Sequence, residues 1–147
     1  MPNPLVPQGT INRLRGSVVY TNNQTLNITA AYLAREAISI AFEGDAGILL
    51  PTLTGGVTSP EPYQMANVVI HMLKSQSLAN VYKTQFETNT NVGDVRIITD
   101  ASTLGDYQLN NCILKGVSDL AFDGSTALFQ VTLSGIYYVN SSLWSAI

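Results

Sequence analysis

Between residues 126 and 138 the side chains change character at every step. Ala127, Phe129, Val131 and Leu133 fall on one side, and Leu128, Gln130, Thr132 and Ser134 on the other. A period of two belongs to a β-strand with one buried face, because successive Cβ atoms of a strand point to opposite sides. Residues 35–43 repeat the pattern, with Glu36, Ile38, Ile40 and Phe42 against Ala37, Ser39, Ala41 and Glu43. Residues 25–30 do so again, with Leu26, Ile28 and Ala30 against Thr25, Asn27 and Thr29. A chain patterned this way is committed to sheets.

The remaining segments fit that frame. Residues 11–20 are rich in Val and Ile and end at Thr21-Asn22-Asn23, a strand followed by a turn. Residues 63–74 are the most apolar stretch, and the β-branched run Val68-Val69-Ile70 favours a strand over a buried helix. Residues 95–99 and 107–119 read as two more strands, and Asp123-Gly124 is a hairpin turn signal before the strand at 126–138. Only one segment has helical period. After the cap-type residues Ser75-Gln76-Ser77, the residues Leu78, Val81, Tyr82, Gln85 and Phe86 recur at i, i+3, i+4, i+7 and i+8, giving a helix over about 77–87. The 147 residues amount to one domain with one core. The expected fold is mainly β, a two-sheet β-sandwich or barrel with one flanking α-helix.

Three segments do not fit inside a compact sheet. Residues 1–10 hold three of the six prolines and no charged side chain, which reads as an extended arm exposing Leu5 and Val6. Residues 140–147 form an uncharged tail carrying Leu143, Ile147 and the single tryptophan, Trp144. Chain ends without partners fray, so both ends are expected to dock on a neighbouring subunit, the alternative being that both pack on their own domain. The third segment, 44–62, contains four Gly and three Pro, yet also Ile48, Leu49, Leu50, Leu53 and Val57. Connections of this length are uncommon in compact domains and usually functional. It is either a short buried edge strand at 48–50 between two turns or a protruding hairpin whose apolar residues meet another subunit.

Charge narrows the function. Charged residues make up 12% of the chain, about half the usual fraction of roughly 25%. Asn, Ser and Thr supply the polar surface instead, as suits a domain largely covered by copies of itself. A net charge of −3 with seven scattered basic residues argues against nucleic-acid binding by phosphate neutralisation. The single cysteine, Cys112, leaves no internal disulfide and no Cys-based zinc site, and reads as a small buried hydrophobe. The start has neither a basic nor an apolar leader segment, so synthesis and folding in a cytoplasm are expected. The sequons at Asn23, Asn27 and Asn140 are incidental in so Asn- and Thr-rich a chain.

Little in the chain can carry catalysis. The only histidine, His71, sits within the apolar 63–74 strand and has no partner at metal-ligand spacing. No nucleophile elbow, dinucleotide turn or phosphate loop is present. Asp94, Asp100, Asp106, Asp119 and Asp123 fall near turns and lack the spacing of a calcium loop. The expectation is no enzyme, no metal and no cofactor, although a carboxylate pair formed only in the fold would leave a small hydrolase open.

Strands, one helix, an arm, a long apolar loop and a charge-poor surface together resemble a known family. Residues 5–14 (Leu-Val-Pro-Gln-Gly-Thr-Ile-Asn-Arg-Leu), the insertion 44–62, the helix 77–87 and the ending 128–135 (Leu-Phe-Gln-Val-Thr-Leu-Ser-Gly) are similar to those of tail tube proteins of contractile-tailed bacteriophages. The resemblance implies homohexameric rings stacked into a tube inside a contractile sheath. It implies baseplate and tail-terminator proteins at the ends, and a tape measure protein and then genomic DNA in the lumen, within the virion tail. Ile48, Leu49, Leu50, Leu53 and Val57 become candidates for ring-to-ring contact, and Leu5, Val6, Leu143, Trp144 and Ile147 for arm and tail contact. Type VI secretion and pyocin tubes share the architecture. The rival from another class is a monomeric β-sandwich adhesin or carbohydrate binder, which would present aromatic platforms.

Overall fold

The computed structural model describes residues 16–99 and 104–146. Strands β1 (Gly16–Tyr20), β2 (Leu33–Glu43), β3 (Gly47–Pro51), β4 (Gly56–Pro60) and β5 (Tyr63–Leu73) precede the helix α1 (Leu78–Thr88). Strands β6 (Asn91–Thr99), β7 (Tyr107–Ser118) and β8 (Leu128–Tyr138) follow it. Six strands form one antiparallel sheet in the order β1-β6-β7-β8-β5-β2, while β3 and β4 pair only with each other.

The large sheet curls strongly, giving the mainly β sandwich/barrel with a single helix that the alternation implies. Its two edge strands come back together. A Cβ added at Gly16 of β1 would stand 3.2 Å from Ile38 Cδ1 of β2, though the two strands are farthest apart in the pairing order. The apolar faces of β1, β5, β6, β7 and β8 turn inward. Val68 of β5 pairs with both Ile40 of β2 and Leu133 of β8, and Leu133 pairs in turn with Leu114 of β7, so one band of aliphatic side chains crosses four strands. Phe129, Val131 and Leu133 are buried, as the alternation requires.

Residues 25–30 correct the expected strand. Gln24–Leu26 is a 3-10 turn, and beyond it Ile28 makes only a single bridge to Val18. Leu26 and Ile28 are still buried. What replaces the ladder is asparagine: Asn27 Oδ1 accepts from Tyr20 N at 2.8 Å, and Asn23 Nδ2 donates to Val92 O at 3.0 Å. Such local side-chain bonds compete with a strand for the backbone.

The helix runs where its period places it and buries Leu78 and Tyr82. Ser77 precedes it without a side-chain cap bond, and Phe86, the last apolar position of the stripe, is exposed. The anchor is the Tyr82 hydroxyl, 2.7 Å from Leu26 O and 2.8 Å from the Tyr20 hydroxyl. A carbonyl only accepts, so Tyr82 gives its proton to Leu26 and takes that of Tyr20. Two buried phenols thus satisfy each other and tie the helix to the sheet.

Burial, which disfavours the anion, raises the pKa of both Tyr20 and Tyr82. It also pushes the Cys112 thiol up to about 12, with the Asp94 charge adding to the effect. In the unfolded chain these groups ionise from about 8.5 for a thiol and about 10 for a phenol. Between those values and the raised native ones, the unfolded state releases protons that the native state keeps. Stability therefore falls as pH rises, by up to about 1.4 kcal/mol per pH unit for each group inside its window. Denaturant unfolding between pH 7 and 10.5 should show this loss beginning near pH 8.5, and Cys112→Ala should delay its onset to the phenol range.

Candidate assembly surface

The connection from β2 to β5 is a hairpin that leaves the large sheet and forms a sheet of its own. Its register places Leu50 opposite Val57, and Ile48 opposite Ser59, on one face. Leu49 opposite Thr58 takes the other face, with its side chain folded across Gly56. At the tip, Thr52 N donates to Gly55 O at 2.8 Å and Leu53 is fully exposed. Every residue of both strands except Ser59 is exposed, Leu49 by 68%. Residues 48–50 therefore lie in an exposed two-stranded hairpin and not, among the described residues, in a buried edge strand.

Among the described residues neither face of this hairpin is covered, and no residue from 46 to 60 is charged. Its two strand edges are bare of Lys and Glu. A flat, uncharged, apolar pair of edges is what soluble proteins ordinarily avoid exposing.

The root of the hairpin is held by four hydrogen bonds. Glu61 N donates to Ala46 O at 3.0 Å, and Val139 N to Pro62 O at 3.1 Å. The side-chain amide of Asn140 donates to Ala46 O at 2.8 Å and to Glu61 O at 2.7 Å, clamping both legs. Asn140 has φ of 54°, a left-handed conformation that Asn tolerates better than most residues. Its sequence signal is an Asn two residues beyond a strand, which a sequon match obscures. Asn140→Ala removes both bonds and strains the backbone; it should cost about 1–3 kcal/mol in a melt and make residues 46–60 more protease-sensitive while the large sheet stays intact.

A second apolar element was not singled out from sequence. Residues 119–127, read as a hairpin turn, form a nine-residue connection in which Leu120 is half exposed and Phe122 is 98% exposed. Asp123 Oδ1 accepts from Thr126 N at 3.0 Å, which lowers the pKa of its carboxyl, and Lys74 Nζ donates to Ala121 O. The signal was present in Leu120-Ala121-Phe122, three apolar residues set between Asp119 and Asp123.

Of the arm and tail candidates, Leu143 lies half exposed in the 3-10 helix Ser141–Ala146 that follows the clamp. Leu5, Val6 and Ile147, and the side chain of Trp144, lie outside the described residues.

Polar chemistry elsewhere is sparse. His71 lies opposite Gln130 away from the core face, and its Nδ1 is the only buried side-chain nitrogen or oxygen without a partner among the described residues. No group of three or more His, Cys, Asp or Glu side chains able to hold a metal occurs among those residues. Ser134 Oγ donates to Asn67 Oδ1 at 2.6 Å and Asn67 Nδ2 to Glu43, a polar chain across three strands rather than a site. The rings of Phe42, Tyr107 and Tyr137 meet at centroid distances of 5.1–6.2 Å with planes tilted by 44–48°. They make a three-ring cluster at the hairpin end of the sheet, not a flat platform. No helix among the described residues is long and apolar enough to cross a membrane.

The fold is thus a curled antiparallel sheet with one helix, bearing an exposed uncharged hairpin. The chain is similar in fold to the tube terminating cap of an anti-feeding prophage, known from cryo-electron microscopy. The TM-score is 0.54 at 15% identity, over 93% of this chain and 97% of that one. No protein-family model matches the sequence, and neither does any curated protein.

Proposed function

We propose that this chain is a structural subunit of a contractile tail or tail-like particle, assembling as homohexameric rings that stack into a tube. The observation that carries the reading is the β3–β4 hairpin, an uncharged element with a hydrogen-bonded root and apolar side chains on both faces that nothing among the described residues covers. The likeness to a tube cap supports the same reading at the level of fold. The hairpin would make the ring-to-ring contact. In a phage the tube would serve genome ejection, within a sheath and between baseplate and terminator proteins. The tape measure protein and then DNA would occupy a bore that does not bind phosphate tightly. A type VI secretion or pyocin-like tube is the alternative within the same architecture.

A cap role is the second reading, because the similar solved structure is a terminating cap. A cap needs one docking pole, whereas this domain exposes apolar side chains at both ends of its sheet, Leu53 at one and Phe122 at the other. A monomeric sugar binder is disfavoured by the tilted aromatic cluster, which offers no flat stacking surface.

Sedimentation and negative-stain imaging of the purified protein test these readings together. Rings and tubes are expected. Single rings that never stack would indicate the cap, and a 15.8 kDa species alone at high concentration would refute assembly.

A further inference from the structure

Strands β1 and β2 end the pairing order on opposite sides, yet the curl of the sheet brings them together in a seam that no ladder joins among the described residues. At Gly16 this seam is tight, since a Cβ there would stand 3.2 Å from Ile38 Cδ1. Beside Gly16 it opens into a cavity of about 150 Å³, lined chiefly by Ile38, Ile40, Ile97, Leu104 and Tyr107. Ile97 belongs to the core, and Ile38, Ile40 and Tyr107 pack against it, so the cavity is an extension of the core. A void of this kind forfeits the dispersion contacts of its lining. An engineered apolar cavity of about 150 Å³, left by truncating one leucine, stays dry and takes up benzene. The space at the seam is therefore the size of a leucine side chain.

The chain carries a leucine at the matching place. Val18 and Tyr20 are fully buried, while Val19 between them is exposed. Gly16 shares the inward face with Val18 and Tyr20 and borders the cavity. Successive side chains of a strand point to opposite faces. One period back from Gly16, the alternation assigns Leu14 to the inward face and Arg13 and Arg15 to the outward one. A leucine in and two cations out is the division a half-buried strand needs. Asn12 and Thr10, the next positions on the inward face, are polar.

We propose that residues 11–15 continue β1 along the seam and that Leu14 fills the cavity of its own domain, closing the sheet between β1 and β2. Distance favours the same chain over a second copy. Gly16 already lies on the cavity wall, and two strand residues span only roughly 6.6–6.8 Å. The contact belongs to the lone subunit and is independent of ring or tube formation.

Benzene uptake by the full-length protein, read from melting of the dilute unassembled chain, tests this. Leu14→Ala should lower the melting temperature by roughly 5–10 °C, as loss of a buried leucine does in a chain of this size. Benzene should raise it again in the variant and leave the unaltered protein unchanged. An equal rise in the unaltered protein would show the cavity empty and overturn the inference, as would Leu14→Ala melting like the unaltered protein. Leu14→Cys/Leu104→Cys decides the matter if the alanine variant fails to fold. Leu104 is half exposed, and the native Cys112 is fully buried and stays out of the exchange. Mild oxidation should close an intramolecular disulfide in the monomer, with a yield independent of protein concentration. Linked dimers that increase with concentration would put a second copy's segment in the seam, and no cross-link would leave Leu14 outside it; either result overturns the inference.

Discussion

Leu49→Asp with Leu50→Asp should leave rings intact and abolish tube growth, seen as a shift from filaments to single rings in negative stain. The two leucines lie on opposite faces of the hairpin and are exposed in the lone subunit. Aspartate there costs the monomer little, and its melting temperature should barely change. In a contact the same carboxylates lose water without gaining a partner, and an uncompensated buried charge is destabilising by about 3–5 kcal/mol. The native contact is built from smaller terms. Covering an exposed Leu is worth about 1.5–3 kcal/mol in transfer, and association entropy and ordering consume much of the sum. A penalty of several kcal/mol at every junction therefore decides the outcome. Growth at the wild-type rate would mean that the hairpin takes no part in stacking.

That contrast between a quiet monomer and a failed polymer explains why the hairpin was only half legible. Periodicity identifies a strand by the difference between its two faces, and Ile48-Leu49-Leu50 has none. The run is equally compatible with a strand buried on both sides and with one covered by another molecule. Only its place outside the large sheet separates the two. Residues 126–138 were readable because that strand has one wet and one dry face, and burial from Phe129 to Gly135 follows the alternation. In 35–43 the strand period holds, but no described residue is buried and Phe42 is exposed. Residues 25–30 alternate as well, but Asn23 and Asn27 spend their side chains on Tyr20 and Val92, and the backbone turns instead. Phe122 was overlooked because three apolar residues between two aspartates look like a turn. Asn140 was overlooked because its partners, Ala46 and Glu61, are remote in sequence. Which strand edges meet, and at what register, has no local signature at all.

Gly135 illustrates a contact of that kind, and it carries the largest expected effect on folding. It lies in β8, and nothing in the neighbouring sequence explains a glycine in the middle of a long strand, where it weakens the ladder. The explanation lies one strand away. A Cβ at Gly135 would stand 2.5 Å from Cys112 Sγ, 3.2 Å from Leu109 Cβ and 3.5 Å from Asn110 O. Cys112 and Leu109 are both buried, and β7 is irregular at this point, its register to β8 shifting between Asn110 and Ile113. The thiol thus occupies the volume that a side chain at 135 would need. Gly135→Ala should destabilise the domain by about 1–3 kcal/mol, the range for overpacking a core, measured by denaturant unfolding of the monomer. A strand glycine replaced by alanine would otherwise gain backbone stability, so the sign of the change is itself diagnostic. Cys112→Ala in the same chain removes the sulfur and leaves Leu109 Cβ as the nearest obstacle, so the double variant should recover much of the loss. Residues in contact are the ones whose effects fail to add. If the two changes were additive, Gly135 would owe its presence to something other than the thiol beneath it.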